Sequence, residues 1–236
     1  MMRASGILLP ISSIPSNYGI GCFSKEAYAF VDQLAEAGQK YWQILPLGPT
    51  GYGDSPYQSF STFAGNPYFI DLEELIQRDL LTAAECAECD WGGSKSYVDY
   101  EKVYLSRFSL LRKAYRRFYQ MDGKEKELQL IREEMEAFEK EQGFWLADYC
   151  LYMAVKDSLE GISWNQWPED LKTRKPEALA KAREELKEDI SFYAFQQFWF
   201  YRQWNRLKKY ANDSMPASRR SCVIICRANR HEQEGR

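Results

Sequence analysis

Apolar positions fall into two short runs near the start of the chain and then into a long series of helix-spaced stripes. Gly6 to Ile11 is a compact apolar run, read as a first buried strand, followed by a loop holding Pro15, Asn17, Tyr18, Gly19 and Gly21. Ser24 is placed to cap a helix in which Ala27, Phe30, Val31, Leu34 and Ala35 recur at one-face spacing, and Gly38 ends it. The next run, Trp42 to Leu47, is a second buried strand. Strand, loop, helix and strand in this order form the right-handed unit of a parallel sheet, whose ligands collect at the C-terminal strand ends. Tyr18 and the loop after the second strand are therefore expected on one ligand-facing side.

From Asp71 onward the period changes. Asp71 with Glu74, and Thr82 with Glu85, are capping-box patterns that open short helices. Tyr104, Phe108, Leu111, Tyr115 and Phe118 line one face of a long helix; Leu128, Ile131, Met135 and Phe138 line another, closed at Gly143. Gly143 to Gly161 reads as a further helix, Trp164, Trp167 and Pro168 as a compact break, and Pro176 as an early residue of a helix running toward Tyr210. Phe192, Phe195, Phe198, Trp199, Phe200, Tyr201 and Trp204 surround that last helix, so they are read as core rather than as a stacking belt. The charged runs at Lys124 to Glu127 and Lys181 to Asp189 are read as solvated faces. About 140 residues of mainly helical sequence exceed an ordinary connection between strands and indicate an inserted helical region.

Between these two regimes lies the stretch with candidate chemistry. WQILPLGPTGYGDSPYQSFSTFAGNP, Trp42 to Pro67, breaks after its strand into a loop rich in glycine, proline, aromatic rings and small polar groups. Glycines let the backbone approach a ligand, and prolines reduce the freedom that ordering removes. A pyranose has an apolar face that packs on a tyrosine ring and hydroxyls that need Asp, Asn, Gln or Ser partners. The loop suits a sugar, and it also fits a turn-rich connection whose tyrosines pack locally.

Charge and cysteine usage narrow the partners. A formal net charge of -3 gives no electrostatic reason to expect nucleic acid or an anionic membrane, and points to a neutral ligand. No run approaches the roughly 20 apolar residues of a membrane span, and the apolar run at Gly6 to Leu9 is too short for a signal-peptide core. Its six cysteines would permit disulfides in a secreted protein, but with no signal-peptide core a cytoplasmic protein with reduced thiols is expected. Cys86 and Cys89 form a lone C-x-x-C pair, too little for a zinc site, and neither metal nor cofactor is expected.

The wording of the loop goes further. LPLGPTGYGDSPYQSFSTFAGNPYFIDL resembles the N-terminal signature of the 4-α-glucanotransferases, the amylomaltase or disproportionating-enzyme family. LLPISSIPSNYGIGCF at Leu8 to Phe23, VDYEKVY at Val98 to Tyr104, GFWLADYCLYMAVKD at Gly143 to Asp157, WNQWPEDLKTR at Trp164 to Arg174 and FQQFWFYRQWNRLKKYAN ending at Asn212 resemble the same family in the same order. The resemblance implies an α/β fold: the N-terminal part of a (β/α)8 TIM barrel with a large helical insertion, the barrel incomplete in this chain. It implies the first two barrel strands with substrate-side loops over residues 1–70 and the insertion and return helix over 71–212, while residues 213–236 are read from their composition as an aberrant, disordered tail. It also implies α-1,4-glucans and maltooligosaccharides as partners. Ser55 and Tyr57 match acceptor-side positions, Tyr52 and Tyr100 match a second glucan-binding surface, Asn66 and Pro67 brace the loop, and Asp54 is read as holding the loop or a sugar hydroxyl.

After Asn212 the resemblance stops. DSMPASRRSCVIICRANRHEQEGR shifts toward Arg, Ser and Cys and is read as an out-of-frame or misassembled ending, within which Val223 to Ile225 offers at most a very short strand. A retaining glycosyl transfer needs two carboxylates about 5 Å apart across the bond being broken. No segment matches the family's nucleophilic Asp or acid/base Glu motifs, so no catalytic residue is named. The chain as it stands is expected to lack transfer activity, with a noncatalytic glucan-binding fragment or an inactive remnant as the alternative. Two strands cannot close a barrel, and their edges would stay exposed.

Overall fold

The structure, a computed structural model, describes residues 5–51, 53–94, 96–120, 125–214 and 223–226. The chain divides into two compact units, the first made of residues 1–114 with 199–236 and the second of residues 115–198.

The first unit is organised on a three-stranded parallel sheet in the order β1 (Gly6–Leu8), β2 (Tyr41–Ile44), β3 (Val223–Cys226). Ile7 pairs with Trp42 and Trp42 with Ile224. Both early strands are shorter than their apolar runs. Leu9 N still donates to Gln43 O at 3.0 Å, but Pro10 has no N–H to continue the ladder, and Ile11–Ser13 closes instead into a tight 3-10 turn. Pro46 limits β2 in the same way. The third strand corrects the expectation of two strands: Val223–Cys226 pairs beside β2 in parallel. The disorder expected for the remainder of 213–236 concerns residues outside those described, apart from Asp213 and Ser214.

Helix α1 (Lys25–Glu36) connects β1 to β2 and buries Ala27, Val31 and Leu34. Ser24 holds the capping position in extended backbone, yet its hydroxyl makes no capping bond; the backbone Ala27 N to Ser24 O contact at 2.9 Å opens the helix. Gly38, at φ +68°, closes it as expected, with Gln39 N donating to Leu34 O at 2.9 Å. Trp42, fully buried at the centre of the sheet, donates its indole N–H to Leu9 O at 2.8 Å and meets Phe30 of α1 edge-on at 5.1 Å.

Helices α2 (Leu72–Gln77) and α3 (Ala83–Ala87) complete the first unit with the start of α4 (Tyr100–Gln120) and the end of α9 (Lys187–Asp213). Residues 71–114 and 199–212, grouped with the insertion in the sequence, therefore belong with the sheet. The two segments are tied to each other by Gln203, which accepts from Asp71 N at 2.7 Å and donates to Asp71 O at 3.2 Å, and to α1 by Tyr210, whose hydroxyl donates to Asp32 Oδ1 at 2.7 Å. The capping box at Thr82 and Glu85 is complete. The one expected at Asp71 and Glu74 is half made: Asp71 accepts from Glu73 N at 3.1 Å, while Glu74 turns to Arg78 at 3.2 Å, Arg202 at 2.6 Å and Arg206. Three guanidinium groups outbid a single backbone N–H.

Burial, with the charges of Glu73 and Glu74, pushes the Asp71 carboxyl up from 3.8 to about 6, against the Glu73 N–H and Arg107, which favour its charged form. A carboxyl with a raised folded-state pKa makes the fold most stable below the unfolded value and less stable as pH rises through the folded one. Stability is expected to fall by on the order of 2 kcal/mol between pH 4 and pH 7 from this group. Asp71→Asn retains a good helix cap and should flatten that slope in urea unfolding measured across the range. Glu74 acts in a separate window: burial raises its pKa, but the Arg206, Arg202 and Arg78 charges outweigh it and hold the carboxyl low, so its contribution is lost only below about pH 4.5.

The second unit is helical. It holds the end of α4, α5 (Glu125–Glu141), α6 (Gly143–Ser158), α7 (Glu169–Lys172), α8 (Pro176–Glu185) and the start of α9. The helix expected from Pro176 toward Tyr210 is two, broken at Leu186, where the backbone leaves helical geometry (φ -109°, ψ 22°). Tyr115 and Phe118 of α4 pack edge-on or tilted against Phe195 at 5.7 and 5.4 Å, and Phe138 of α5 packs against Phe198 at 5.9 Å. Phe192, Phe195 and Phe198 are buried here, and Trp199 and Phe200 in the first unit, which makes these five rings core as read, while Tyr201 and Trp204 are only half-buried. Among the described residues no helix is long and apolar enough to cross a membrane.

Candidate functional site

Both loops that leave the C-terminal ends of β1 and β2 border a cleft of about 120 Å³ in the first unit. Its apolar lining comes from Pro10, Ile11, Ile20, Leu45, Leu47 and Phe69, and its polar lining from Ser12, Thr50, Asp54, Asn66, Tyr68 and Tyr100. Asn66, Tyr68, Tyr100, Thr50 and Asp54 are each held by a bond or a ring contact.

Asn66 is buried. Its N–H donates to Leu47 O at 2.8 Å, and its Oδ1 accepts from Tyr68 N at 3.0 Å, capping the 3-10 turn Pro67–Phe69. That cap aims Tyr68 inward, where it packs with Ile20 and Val103 and meets the rings of Tyr100 at 6.2 Å and Phe108 at 6.3 Å. Tyr100 is the first residue of α4, so helix and loop converge on one wall.

Asp54 sits at φ 52°, a left-handed conformation that Asp tolerates better than most side chains. Its N–H donates to Gly51 O at 3.2 Å, and its Oδ1 accepts from Thr50 Oγ1 at 3.4 Å. Burial raises its pKa, while the Thr50 hydroxyl acts in the opposite direction. Burial first, and the Asp54 charge second, also raise the pKa of the Tyr68 and Tyr100 phenols, so both stay protonated donors in the cleft. Acceptor, donors and amide in an apolar cleft form the composition of a site for a neutral polyhydroxylated ring. Among the described lining residues Asp54 is the single carboxylate, whereas double displacement at a glycosidic carbon needs two.

Of the residues singled out in the sequence, Asp54, Asn66 and Tyr100 come together here. Ser55 and Tyr57 flank Pro56, which lines the cleft, but do not line it themselves; Tyr57 is 73% exposed, and its N–H donates to Ser55 Oγ at 3.4 Å. Tyr52 lies outside the described residues. Tyr18 departs from its expected ligand-facing place: its ring packs edge-on against Trp91 at 5.5 Å and its hydroxyl donates to Glu73, which withdraws it into the core. Tyr68 was missed, although its position directly after the Asn66-Pro67 cap was the available signal.

A family model described as 4-alpha-glucanotransferase matches residues 9–217. The chain belongs to the 4-alpha-glucanotransferase family. It is 48% identical to a 4-alpha-glucanotransferase of Clostridium butyricum over 202 residues, covering 86% of this chain and 40% of that one. It is 46% identical to one of Streptococcus pneumoniae over 213 residues, covering 90% and 41%. Among solved structures, the amylomaltase from Streptococcus agalactiae in complex with acarbose superposes with a TM-score of 0.83 at 39% identity, covering 90% of this chain and 41% of that chain. The chain thus spans about 40% of the length of the curated 4-alpha-glucanotransferases it matches.

Proposed function

We propose that these residues are the N-terminal, substrate-side portion of a 4-α-glucanotransferase, and that the cleft at the ends of β1 and β2 receives a glucose ring of an α-1,4-glucan. The convergence of Asp54, Asn66 and Tyr100 on one cleft carries this reading, and membership of the family supports it. Asp54 accepts from sugar hydroxyls, the Tyr68 and Tyr100 phenols donate to them, and the apolar wall takes a ring face. Tyr52, Ser55 and Tyr57 belong to this reading as outer glucan contacts on the same loop. The complete reaction moves α-1,4-glucan segments between maltooligosaccharides with retention, through a covalent glycosyl intermediate, in the cytoplasm, in the context of an N-terminal part of a (β/α)8 barrel. Two carboxylates must flank the bond for that chemistry, so these 236 residues bind glucan without transferring it.

Two assays on the purified chain test the pair of statements. Calorimetric titration with maltoheptaose should show saturable binding that Asp54→Asn and Tyr100→Ala each weaken about tenfold, the worth of one hydrogen bond to a charged group or one ring contact. Incubation with maltotriose should release no glucose. Unchanged affinity in both variants would remove the cleft from the reading, and glucose release would remove the division between binding and transfer.

A further inference from the structure

The second unit carries an aromatic and ion-paired surface that the cleft does not use. Phe144, Asp148 and Tyr152 recur every four residues along α6 and so share one face. The segment that follows returns over that face. Trp167 lies on Tyr152 with ring centroids 5.2 Å apart and planes tilted by 34°, and its indole N–H donates to Ile162 O at 3.1 Å. Arg174 Nη2 reaches Asp148 Oδ1 and Oδ2 at 3.0 and 3.1 Å. Immediately before Trp167, the tight turn Trp164–Gln166 presents a Trp164 ring that is 55% exposed, with exposed amides at Asn165 and Gln166.

Packing accounts for Trp167, which lies partly buried against the Leu151, Val155 and Ala182 cluster, but stability does not account for Arg174 or Trp164. Arg174 has φ 58° at the end of α7, where Lys175 N donates to Asp170 O at 2.8 Å and Arg174 N to Leu171 O at 3.1 Å. Glycine occupies such a position without strain, and an arginine does not. The ion pair it gains has side chains 60% and 59% exposed, and exposed pairs of this kind contribute little. Trp164 likewise leaves most of its ring in water, where burial would be favoured.

The chemistry selects a ligand class. A free anion would meet Asp148 and a free cation would meet Arg174, so the pair favours a neutral ligand and offers adjacent acceptors and donors to vicinal hydroxyls. Flat rings beside amides suit the apolar face of a pyranose. We propose that Tyr152, Trp164 and Trp167, with the Asp148–Arg174 pair, bind a neutral pyranose oligosaccharide. The choice of an α-1,4-glucan as that oligosaccharide rests on the function proposed above.

The indole N–H signals of the seven tryptophans, followed by ¹H–¹⁵N correlation during titration of the whole chain with maltoheptaose, test it. The Trp164 and Trp167 signals, assigned with Trp164→Phe and Trp167→Phe, should move saturably, and should still do so in the Asp54→Asn/Tyr100→Ala double variant. Trp164→Ala should weaken this binding about tenfold, roughly the contribution of one stacked ring. Arg174→Gly should raise the melting temperature and yet weaken binding several-fold; a purely structural arginine would give only the first. If both indole signals stay still while the cleft variants abolish calorimetric binding, this surface is overturned and the cleft stands. Should the indoles move while the cleft variants change nothing, this surface stands and the cleft falls. With no binding by either method, both fall.

Discussion

Arg107→Ala is expected to destabilise the first unit by about 3–5 kcal/mol, the range for removing one member of a buried charged network. Arg107 on α4 is fully buried. Its Nη1 donates to Ile70 O at 2.6 Å and its Nη2 to Tyr18 O at 3.5 Å, and its guanidinium lies 5.8 Å from the centre of the Trp91 ring. Tyr18 is on the loop after β1 and Ile70 just beyond the loop after β2, so a single cation ties the two loops that border the cleft. Burial lowers its pKa, and the neighbouring Cys22, Asp71, Cys86 and Tyr68 act in the other direction to keep it charged. Alanine would leave two buried carbonyl oxygens without their donor and open a cavity. Chemical denaturation of the whole chain reads the loss directly. Arg107→Lys should recover part of it, because an ammonium can reach one carbonyl but has no fork to bridge both. A loss below about 1 kcal/mol for Arg107→Ala would contradict the bridging role, since that is the net worth of one ordinary hydrogen bond.

Gly21→Ala should cost about 3 kcal/mol, at the upper end for overpacking, and should weaken glucan binding with it. A Cβ at this position would lie 2.0 Å from Ile11 O, 2.6 Å from Ile14 O and 2.7 Å from Ile14 N. All three are backbone atoms, so no rotamer change relieves the clash. Gly21 N also donates to Ser12 O at 3.0 Å, and Ile11, Ser12 and Ile20 line the cleft, so any shift is passed to its wall. Gly93→Ala serves as the control, because nothing stands within 4 Å of the added carbon. Thermal melts of the two variants should separate widely. Similar melts would mean that the turn at Gly21 opens without penalty.

These two residues also mark how much was legible in the sequence. Periodicity located the early strands, α1 and the long helices, because one-face spacing and glycine or proline punctuation are local signals. It placed most of the aromatic run of α9 in the core for the same reason, Tyr201 and Trp204 being half-buried. The strands ended early at Pro10 and beyond Ile44, since an apolar run shows burial but not how far a ladder of N–H groups continues. Asn66 and Asp54 were readable from loop composition. Tyr18 was misplaced because its environment is set by Trp91 and Glu73, partners 73 and 55 residues away that no local pattern connects to it. Arg107 was invisible for a similar reason: on a helical stripe a charged residue reads as solvent-facing, and only the packed fold shows two carbonyls waiting for it. Val223 to Ile225 was legible as a very short strand, but its parallel pairing beside β2 was likewise a long-range fact that the segment's composition did not show.

A crystal structure of the chain grown with maltoheptaose would test the glucan-binding cleft most directly. A glucose ring should lie in the cleft at the ends of β1 and β2, with hydroxyls within hydrogen-bond distance of Asp54, Tyr68 and Tyr100. An empty cleft in crystals whose maltoheptaose is bound elsewhere would contradict that assignment.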